Sequence, residues 1–213
     1  MVSGLIGRKL GMTQIYREDG VMVPATVIQA GPCVVVQKKT AAKEGYDAVQ
    51  LGLVEFVKPN RVNQPLAGHY RKANVEPGKV LREFKVLPGA EVKVGDRFTV
   101  EIFKIKEKVD VIGVSKGRGW QGVVRRHHFR GGEGSHGSMF HRAPGSIGAS
   151  SFPSRVWPGM RMAGQMGNAR ITVRNLEIVD VDNEDQLLVV KGSIPGPNGR
   201  YLMVRRAKKV SKR

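Results

Sequence analysis

The sequence has little of what several large classes of protein depend on. Of its 213 residues one is a cysteine, Cys33, so the chain cannot form an internal disulfide or a cysteine metal cluster. No apolar run approaches the ~20 residues that a membrane-spanning helix needs. The first ten residues lack the hydrophobic stretch of a signal peptide. These absences predict a protein of the reducing cytoplasm with no membrane-spanning segment.

Acidic residues are also few. The chain has 18 Asp and Glu against 36 Lys and Arg, a net charge of +18, although its hydrophobic content of 40% is sufficient for a folded core. An excess of this size repels itself unless a polyanion neutralises it. The composition therefore predicts nucleic acid or an anionic membrane as the partner, and we expect no small-molecule substrate.

Glycine and positive charge are concentrated together between residues 113 and 170. This segment holds 13 of the 27 glycines, nine Lys and Arg, four of the five histidines, both tryptophans and a single acid, Glu133. It shows no sustained helical or strand period. Low-complexity disorder is the alternative, but disordered segments are usually poor in aromatic residues. We expect an extension that packs poorly alone and is ordered by a partner.

The flanking sequence has short runs of β-branched residues separated by turn residues, the pattern of strands. The runs are Val21–Ile28, Cys33–Lys38, Ala48–Val54, Val109–Val114, Ile171–Val181, Gln186–Val190 and Tyr201–Val204. Strands on both sides of the extension predict a mainly β protein, a barrel or sandwich with the extension inserted. Between residues 58 and 95, recurring prolines and a short helix at Gln64–Lys72, with Asn63 as its cap, predict a small inserted subdomain.

A glycine motif at Gly117–Gly122 has the spacing G-x-G-x-x-G of a dinucleotide-binding loop. The context does not fit, because Gly131 and Gly132 follow before a helix could be completed and no series of βα units surrounds the motif. Where a ribose-binding acid belongs stand His141 and Arg142. We interpret the glycines as allowing close approach to a phosphate backbone beside Arg118.

The histidines do not form a recognisable metal or catalytic set. His127, His128, His136 and His141 have no cysteine partner, no i, i+4 helical spacing and one nearby carboxylate. No nucleophile, base and orienting group can be picked out. The sequence therefore predicts no enzyme activity, no metal and no cofactor.

The mixture of arginine, histidine and aromatic residues in the extension is typical of RNA recognition. Arginine binds phosphates in bidentate geometry and stacks on flat groups, and structured RNA is recognised through phosphates, shape and stacking on unpaired bases. The candidate RNA-binding residues are Lys116, Arg118, Trp120, Arg125, Arg126, His127, His128, Arg130, His136, His141, Arg142, Arg155, Trp157, Arg161 and Arg170. For Trp157, packing at the base of the extension is the alternative. The segment Arg200–Arg213, with seven Lys and Arg and no acid, predicts a phosphate-contacting tail.

The alternative functions are an RNA-modifying enzyme and a DNA-binding architectural protein. An RNA-modifying enzyme would need a cofactor motif or an acid/base set in the flanks, and neither is found. A DNA-binding architectural protein would more often have a recognition helix or a lysine-rich β-ribbon arm.

Several motifs closely resemble the L-three family of large-subunit ribosomal proteins. They are Gly4–Thr13, Val109–Gly119, His141–Gly148, Met162–Asn168 and Leu188–Gly196, the last similar to the closing hairpin of the family. The resemblance implies a six-stranded translation-protein-type barrel (residues 1–57, 96–112 and 171–213), an inserted α+β subdomain (58–95) and an RNA-penetrating extension (113–170). It adds Ser146, Gln165 and Asn168 to the RNA-binding residues.

The resemblance also implies the partners. Family members bind large-subunit ribosomal RNA, act early in assembly and contact neighbouring ribosomal proteins, with the extension reaching towards the peptidyl transferase centre. Residues 141–154 would form its tip. Ser151 stands where some relatives carry a methylated glutamine, so that modification should be absent. The length and the absence of extra segments resemble bacterial members, which implies a cytoplasmic ribosome. Organellar members share the motifs, so a processed organellar chain stays open.

Overall fold

A computed structural model describes residues 2–17, 19–86, 89 and 91–208. The chain divides into two compact units. The first comprises the residues up to Val114 and those from Arg170 onwards, and the second is Ser115–Ala169.

The protein is mainly β, as the sequence predicts. Its strands are β1 (Gly4–Tyr16), β2 (Met22–Ala30), β3 (Cys33–Lys39), β4 (Ala48–Leu53), β5 (Leu81–Lys85), β6 (Arg97–Phe98), β7 (Lys108–Val114), β8 (Gly119–Gln121), β9 (Gly164–Met166), β10 (Arg170–Asp182), β11 (Leu187–Lys191) and β12 (Tyr201–Arg206). The helices are α1 (Ala41–Glu44), α2 (Gln64–Lys72) and α3 (Val123–His127), with 3₁₀ turns at Pro59–Arg61 and Val100–Ile102. No helix of the described ranges is long and apolar enough to cross a membrane.

Six strands of the first unit close into a barrel in the order β1-β12-β7-β10-β11-β2, and every neighbouring pair is antiparallel. Because the barrel is closed, its strands have no long unpaired edge. In strands rich in β-branched residues such an edge could pair with another protein. Alternate side chains point inwards, so that Leu5, Val111, Ile178 and Leu202 lie in the core with exposures of 2% or less.

A second sheet in the same unit has the order β5-β4-β3-β6. Helix α2 contacts this sheet through Tyr70, whose fully buried side chain packs on Val34 and Val36 of β3. The Tyr70 hydroxyl donates a hydrogen bond to the Gly78 carbonyl at 3.1 Å. The sequence assignment of β3 and β4 to the barrel differs from this pairing. Val35, Val49 and Leu51 join the same apolar core as the barrel strands, so hydrophobic pattern alone does not separate the two sheets.

Two further expectations about the C-terminal part need correction. Strands β11 and β12 do not form a hairpin, because β11 lies between β10 and β2 whereas β12 lies between β1 and β7. Nor is residue 200 onwards a free basic tail. Arg205 pairs with Asp110 at 3.4 Å and Arg206 with Glu107 at 2.9 Å, so these two arginines serve the barrel. Residues 209–213 of that segment lie outside the described residues.

The helix at Gln64–Lys72 forms with the predicted bounds, and Pro65 lies in its first turn. Asn63 occupies the N-cap position with extended backbone angles, but its side chain makes no capping hydrogen bond. The identity of the cap residue therefore indicates where the helix starts without itself supplying the capping bond.

The second unit has little regular structure. Strands β8 and β9 form a two-stranded antiparallel ribbon in which Trp120 lies opposite Gln165. The five-residue helix α3 begins two residues after β8 and stops before Gly131, so it is not the complete helix that a dinucleotide-binding loop needs, as expected. It ends at His128, which adopts the left-handed conformation and so stops the helix after little more than one turn.

Candidate nucleic-acid interface

The base of the second unit, which we call the neck, is formed by residues 115–121 and 164–169. Besides the β8–β9 ladder, the Ser115 amide donates to the Ala169 carbonyl at 2.9 Å and the Arg118 amide to the Met166 carbonyl at 2.9 Å. At Gly167 the backbone has a φ of +73°, and a Cβ there would lie 2.1 Å from the Lys116 carbonyl oxygen. Only glycine allows the two backbone segments of the neck to approach this closely.

Helix α3 is tied to the chain that returns to the neck. The Arg126 guanidinium donates from Nη1 to the Met162 carbonyl at 2.7 Å, and Nε2 of His127 lies 3.1 Å from the same oxygen. Because a carbonyl only accepts, that histidine nitrogen carries the proton. The buried Gly164 lies directly beneath the guanidinium, since a Cβ there would be 2.6 Å from Nη1.

A second close crossing lies further along the unit. The Gly132 amide donates to the His141 carbonyl at 2.9 Å, and Nδ1 of His141 is 2.9 Å from the Glu133 carbonyl. A Cβ on Gly132 would lie 1.8 Å from the Phe140 carbonyl oxygen. Residues 133–140 therefore form a small loop closed by backbone contact, and Gly131 and Gly132 at its start leave room for that contact.

The candidate residues are mostly exposed. Only Arg126 and His127 are half-buried, and the rest are exposed: Lys116, Arg118, Trp120, Arg125, His128, Arg130, His136, His141, Arg142, Ser146, Arg155, Trp157, Arg161, Gln165, Asn168 and Arg170. In the second unit Val123 and Gly164 are the buried residues. The unit thus displays its charged and aromatic side chains around almost no core of its own.

The exposed cations of this unit are not neutralised within the chain. Among the described residues, all ion pairs within 4 Å join residues of the first unit: Arg8–Glu55, Arg17–Glu177, Lys39–Glu83, Arg205–Asp110 and Arg206–Glu107. The charge of the first unit is in part internally compensated. That of the second unit is directed to solvent, where a polyanion would compensate it.

Large apolar side chains are exposed beside these cations. Met139 is 98%, Phe152 87%, Trp120 75% and Trp157 57% exposed, and the Arg155 guanidinium lies 5.7 Å from the Trp157 ring centre. An exposed aromatic ring next to arginine offers a stacking surface for a nucleobase. The exposure of Trp157 does not fit a packing residue.

Metal binding has no geometric support in the described part of the chain, where no three His, Cys, Asp or Glu side chains come together. His128 and His136 both have positive φ, of 61° and 55°, and His141 is engaged with a backbone carbonyl. The structure uses these histidines at turns and loop closures.

Sequence reasoning missed the residues that hold the unit together. The sequence shows Gly164, Gly167 and Met162 only as parts of a family motif. Asn168, a predicted RNA contact, has a left-handed φ of 49° at the end of the neck. Glycines three residues apart beside a short strand were the available signal. Arg170 begins β10 and therefore belongs to the first unit.

Comparison with known proteins gives one consistent family. A family model described as ribosomal protein L3 matches residues 67–187. The large ribosomal subunit protein uL3 of Solibacter usitatus is 66% identical over 210 residues, covering 98% of this chain and all of the relative. Those of Herpetosiphon aurantiacus, 53% identical with both chains fully covered, and Carboxydothermus hydrogenoformans, 52% identical over 98% of this chain and 99% of the relative, are also similar.

Proposed function

Since the chain belongs to the ribosomal protein L3 family, we propose that it is a structural, non-enzymatic component of the large ribosomal subunit that binds ribosomal RNA directly through Ser115–Ala169. Its place of action is the ribosome of the bacterial cytoplasm. Its partners are large-subunit RNA and neighbouring ribosomal proteins.

One observation carries the proposal. The second unit has eight Lys and Arg against one acid, and no ion pair of the described residues involves any of them. A protein gains little from holding so many like charges unpaired and exposed. RNA phosphates that converge in a folded RNA repel each other equally, and cations placed between them relieve both repulsions.

The division of labour follows from the two units. The first unit, whose six-stranded barrel we take to be of the translation-protein type with an inserted α+β subdomain at its second sheet, has a large apolar core. The second unit is ordered further when RNA surrounds it. Residues 141–154 are its tip, directed towards the peptidyl transferase centre, and binding early in assembly stabilises the RNA fold there.

A salt titration of one arginine tests direct phosphate contact. Arg125 is exposed, and its guanidinium makes a long 3.4 Å hydrogen bond to Gln121 Oε1. Affinity of the whole chain for a large-subunit RNA transcript should fall log-linearly with salt. Arg125→Ala should flatten that slope by about 0.7–0.9, the loss of one phosphate neutralised.

Lys104→Ala is the matched control, because Lys104 is exposed on the first unit next to Glu107, whose carboxylate accepts from the Lys104 amide. Its slope should equal that of the wild type. If Arg125→Ala also keeps the wild-type slope, Arg125 faces solvent in the complex. If the wild-type chain shows no salt-dependent RNA binding, the proposed function fails.

A further inference from the structure

Arg126 stands apart from the other arginines of the second unit. It is half-buried, whereas its neighbour Arg125 is exposed, and its guanidinium is already engaged with the Met162 carbonyl at 2.7 Å. The two bonded residues are 36 positions apart in the chain. A charge-assisted hydrogen bond over this separation holds two otherwise independent stretches together.

The contact is built on both sides. Beneath the guanidinium, Gly164 leaves the space that a side chain would occupy, as a Cβ would lie 2.6 Å from Nη1 and 3.0 Å from Cζ. His127, the next residue of α3, aims Nε2 at the same carbonyl from 3.1 Å. The Met162 carbonyl therefore lies within hydrogen-bond distance of both Arg126 and His127, and the lack of a side chain at Gly164 leaves room for the guanidinium.

This contact lies next to the neck, where it can fix the pairing of β8 with β9. Helix α3 starts two residues after β8 ends, and Gly164, the first residue of β9, pairs with Gln121, the last of β8. Holding residue 162 against α3 thus fixes where β9 begins relative to β8. Because a slip of one residue turns every side chain of a strand to the other face, this register decides where Trp120 and Gln165 point.

We infer that Arg126 is a positioning residue of the RNA-binding unit, which sets the β8–β9 register through the Met162 carbonyl and Gly164 and does not neutralise an RNA phosphate. This inference rests on the proposed function. It reassigns one residue from the predicted set of RNA contacts, and it gives Gly164 a defined role as the seat of the guanidinium.

Salt dependence separates positioning from phosphate contact. With the whole chain and a large-subunit RNA transcript, Arg126→Ala should lower affinity about tenfold at fixed salt, which corresponds to ~1.4 kcal/mol of binding free energy. Its log–log salt slope should remain that of the wild type, since no phosphate contact is lost. A slope flattened by about 0.7–0.9, as expected for Arg125→Ala, would overturn the inference.

A glycine variant tests the same contact without removing any charge. Gly164→Ala should push the guanidinium off the Met162 carbonyl and reproduce the tenfold loss, whereas Gly68→Ala in helix α2 of the first unit, where no neighbouring atom would lie within 4 Å of the new Cβ, should bind as the wild type does. In the double variant Arg126→Ala/Gly164→Ala the losses should not add, because nothing is left to displace. Additive losses would contradict the inference.

Hydrogen exchange gives a readout independent of RNA. In Arg126→Ala the amides of Arg118 and of the β8–β9 ladder should exchange faster, while the β7 amides of the barrel keep their protection. Unchanged protection in the neck, or affinity equal to the wild type, would overturn the role of Arg126. A wild-type chain that does not bind RNA would instead count against the proposed function and leave the exchange result as the measure of the contact.

Discussion

At the scale of single residues, Cys33 shows how burial controls chemistry in the first unit. Its side chain is fully buried at the start of β3, and Sγ lies 3.5 Å from the Ile6 carbonyl, to which the thiol donates weakly. Removal from water disfavours the thiolate and raises the pKa of Cys33 to about 12. The thiol is therefore a packing group, and its reactivity depends on unfolding.

We expect Cys33 in the native protein to be almost inert to a thiol reagent at pH 8 and to react fully in urea. Because its folded pKa lies above that of an unfolded cysteine, the thiol contributes stability that is complete below about pH 8.5 and is lost as pH rises towards 12. Urea midpoints at pH 7 and pH 10 measure this loss, with Cys33→Ser and Cys33→Ala for comparison. Fast labelling of the native chain at pH 8 would show that β3 opens locally.

At the scale of elements, the neck depends on the absence of side chains. A two-stranded ribbon of three residues a side is marginal in water, so β8 and β9 need further contacts to persist. The close approach at Gly167 and the guanidinium seat at Gly164 supply them. Glycine is therefore required at these positions by the close approach of neighbouring protein atoms, whether or not the positions contact RNA.

Two glycines of the neck offer a matched pair. Gly167→Ala should disrupt the neck, since its Cβ would collide with the Lys116 carbonyl at a φ of +73°, whereas the Cβ of Gly117→Ala would lie 3.8 Å from Asn168 in ordinary contact. Gly167→Ala should therefore lose exchange protection at the Arg118 amide and bind RNA more weakly. Equal behaviour of the two variants would show that this crossing does not support the unit.

At the scale of the whole molecule, the apolar core and the unpaired exposed cations belong to different units. The apolar core, including Ile178, Val189 and Leu202, is in the first unit, where Val173 and Leu176 are half-buried. The second unit has few buried residues and many exposed cations. Changes in the two units should therefore have separable consequences.

Ile178→Ala should cost ~2–5 kcal/mol of unfolding free energy, because a fully buried side chain leaves a cavity. Trp157→Ala, which removes a ring that is 57% exposed, should leave the melting temperature of the free protein almost unchanged and slow large-subunit assembly in cells. Melting curves and subunit sedimentation profiles measure both. A melting temperature lowered by several degrees with normal assembly would make Trp157 a packing residue.

The sequence by itself determined the composition-driven features of this protein. Net charge and the clustering of glycine and arginine predict a basic unit exposed to a polyanion, and β-branched runs predict most strands, because both depend only on residue type and local order. Family motifs predict the same family that the comparisons show. The helix at Gln64–Lys72 was equally readable, since proline and asparagine mark its start.

Only the tertiary structure decided which strands pair and which charged residues have partners. Strands β3 and β4 share the apolar pattern of the barrel strands yet belong to the second sheet, and β12 enters between β1 and β7 although β11 precedes it in the chain. In the sequence, Arg205 and Arg126 do not differ from the other basic residues. In the structure, Arg205 pairs with Asp110 and Arg126 donates to the Met162 carbonyl. Pairing and partnership are long-range properties, and the local sequence pattern carries no information about residues that lie 36 or 95 positions away.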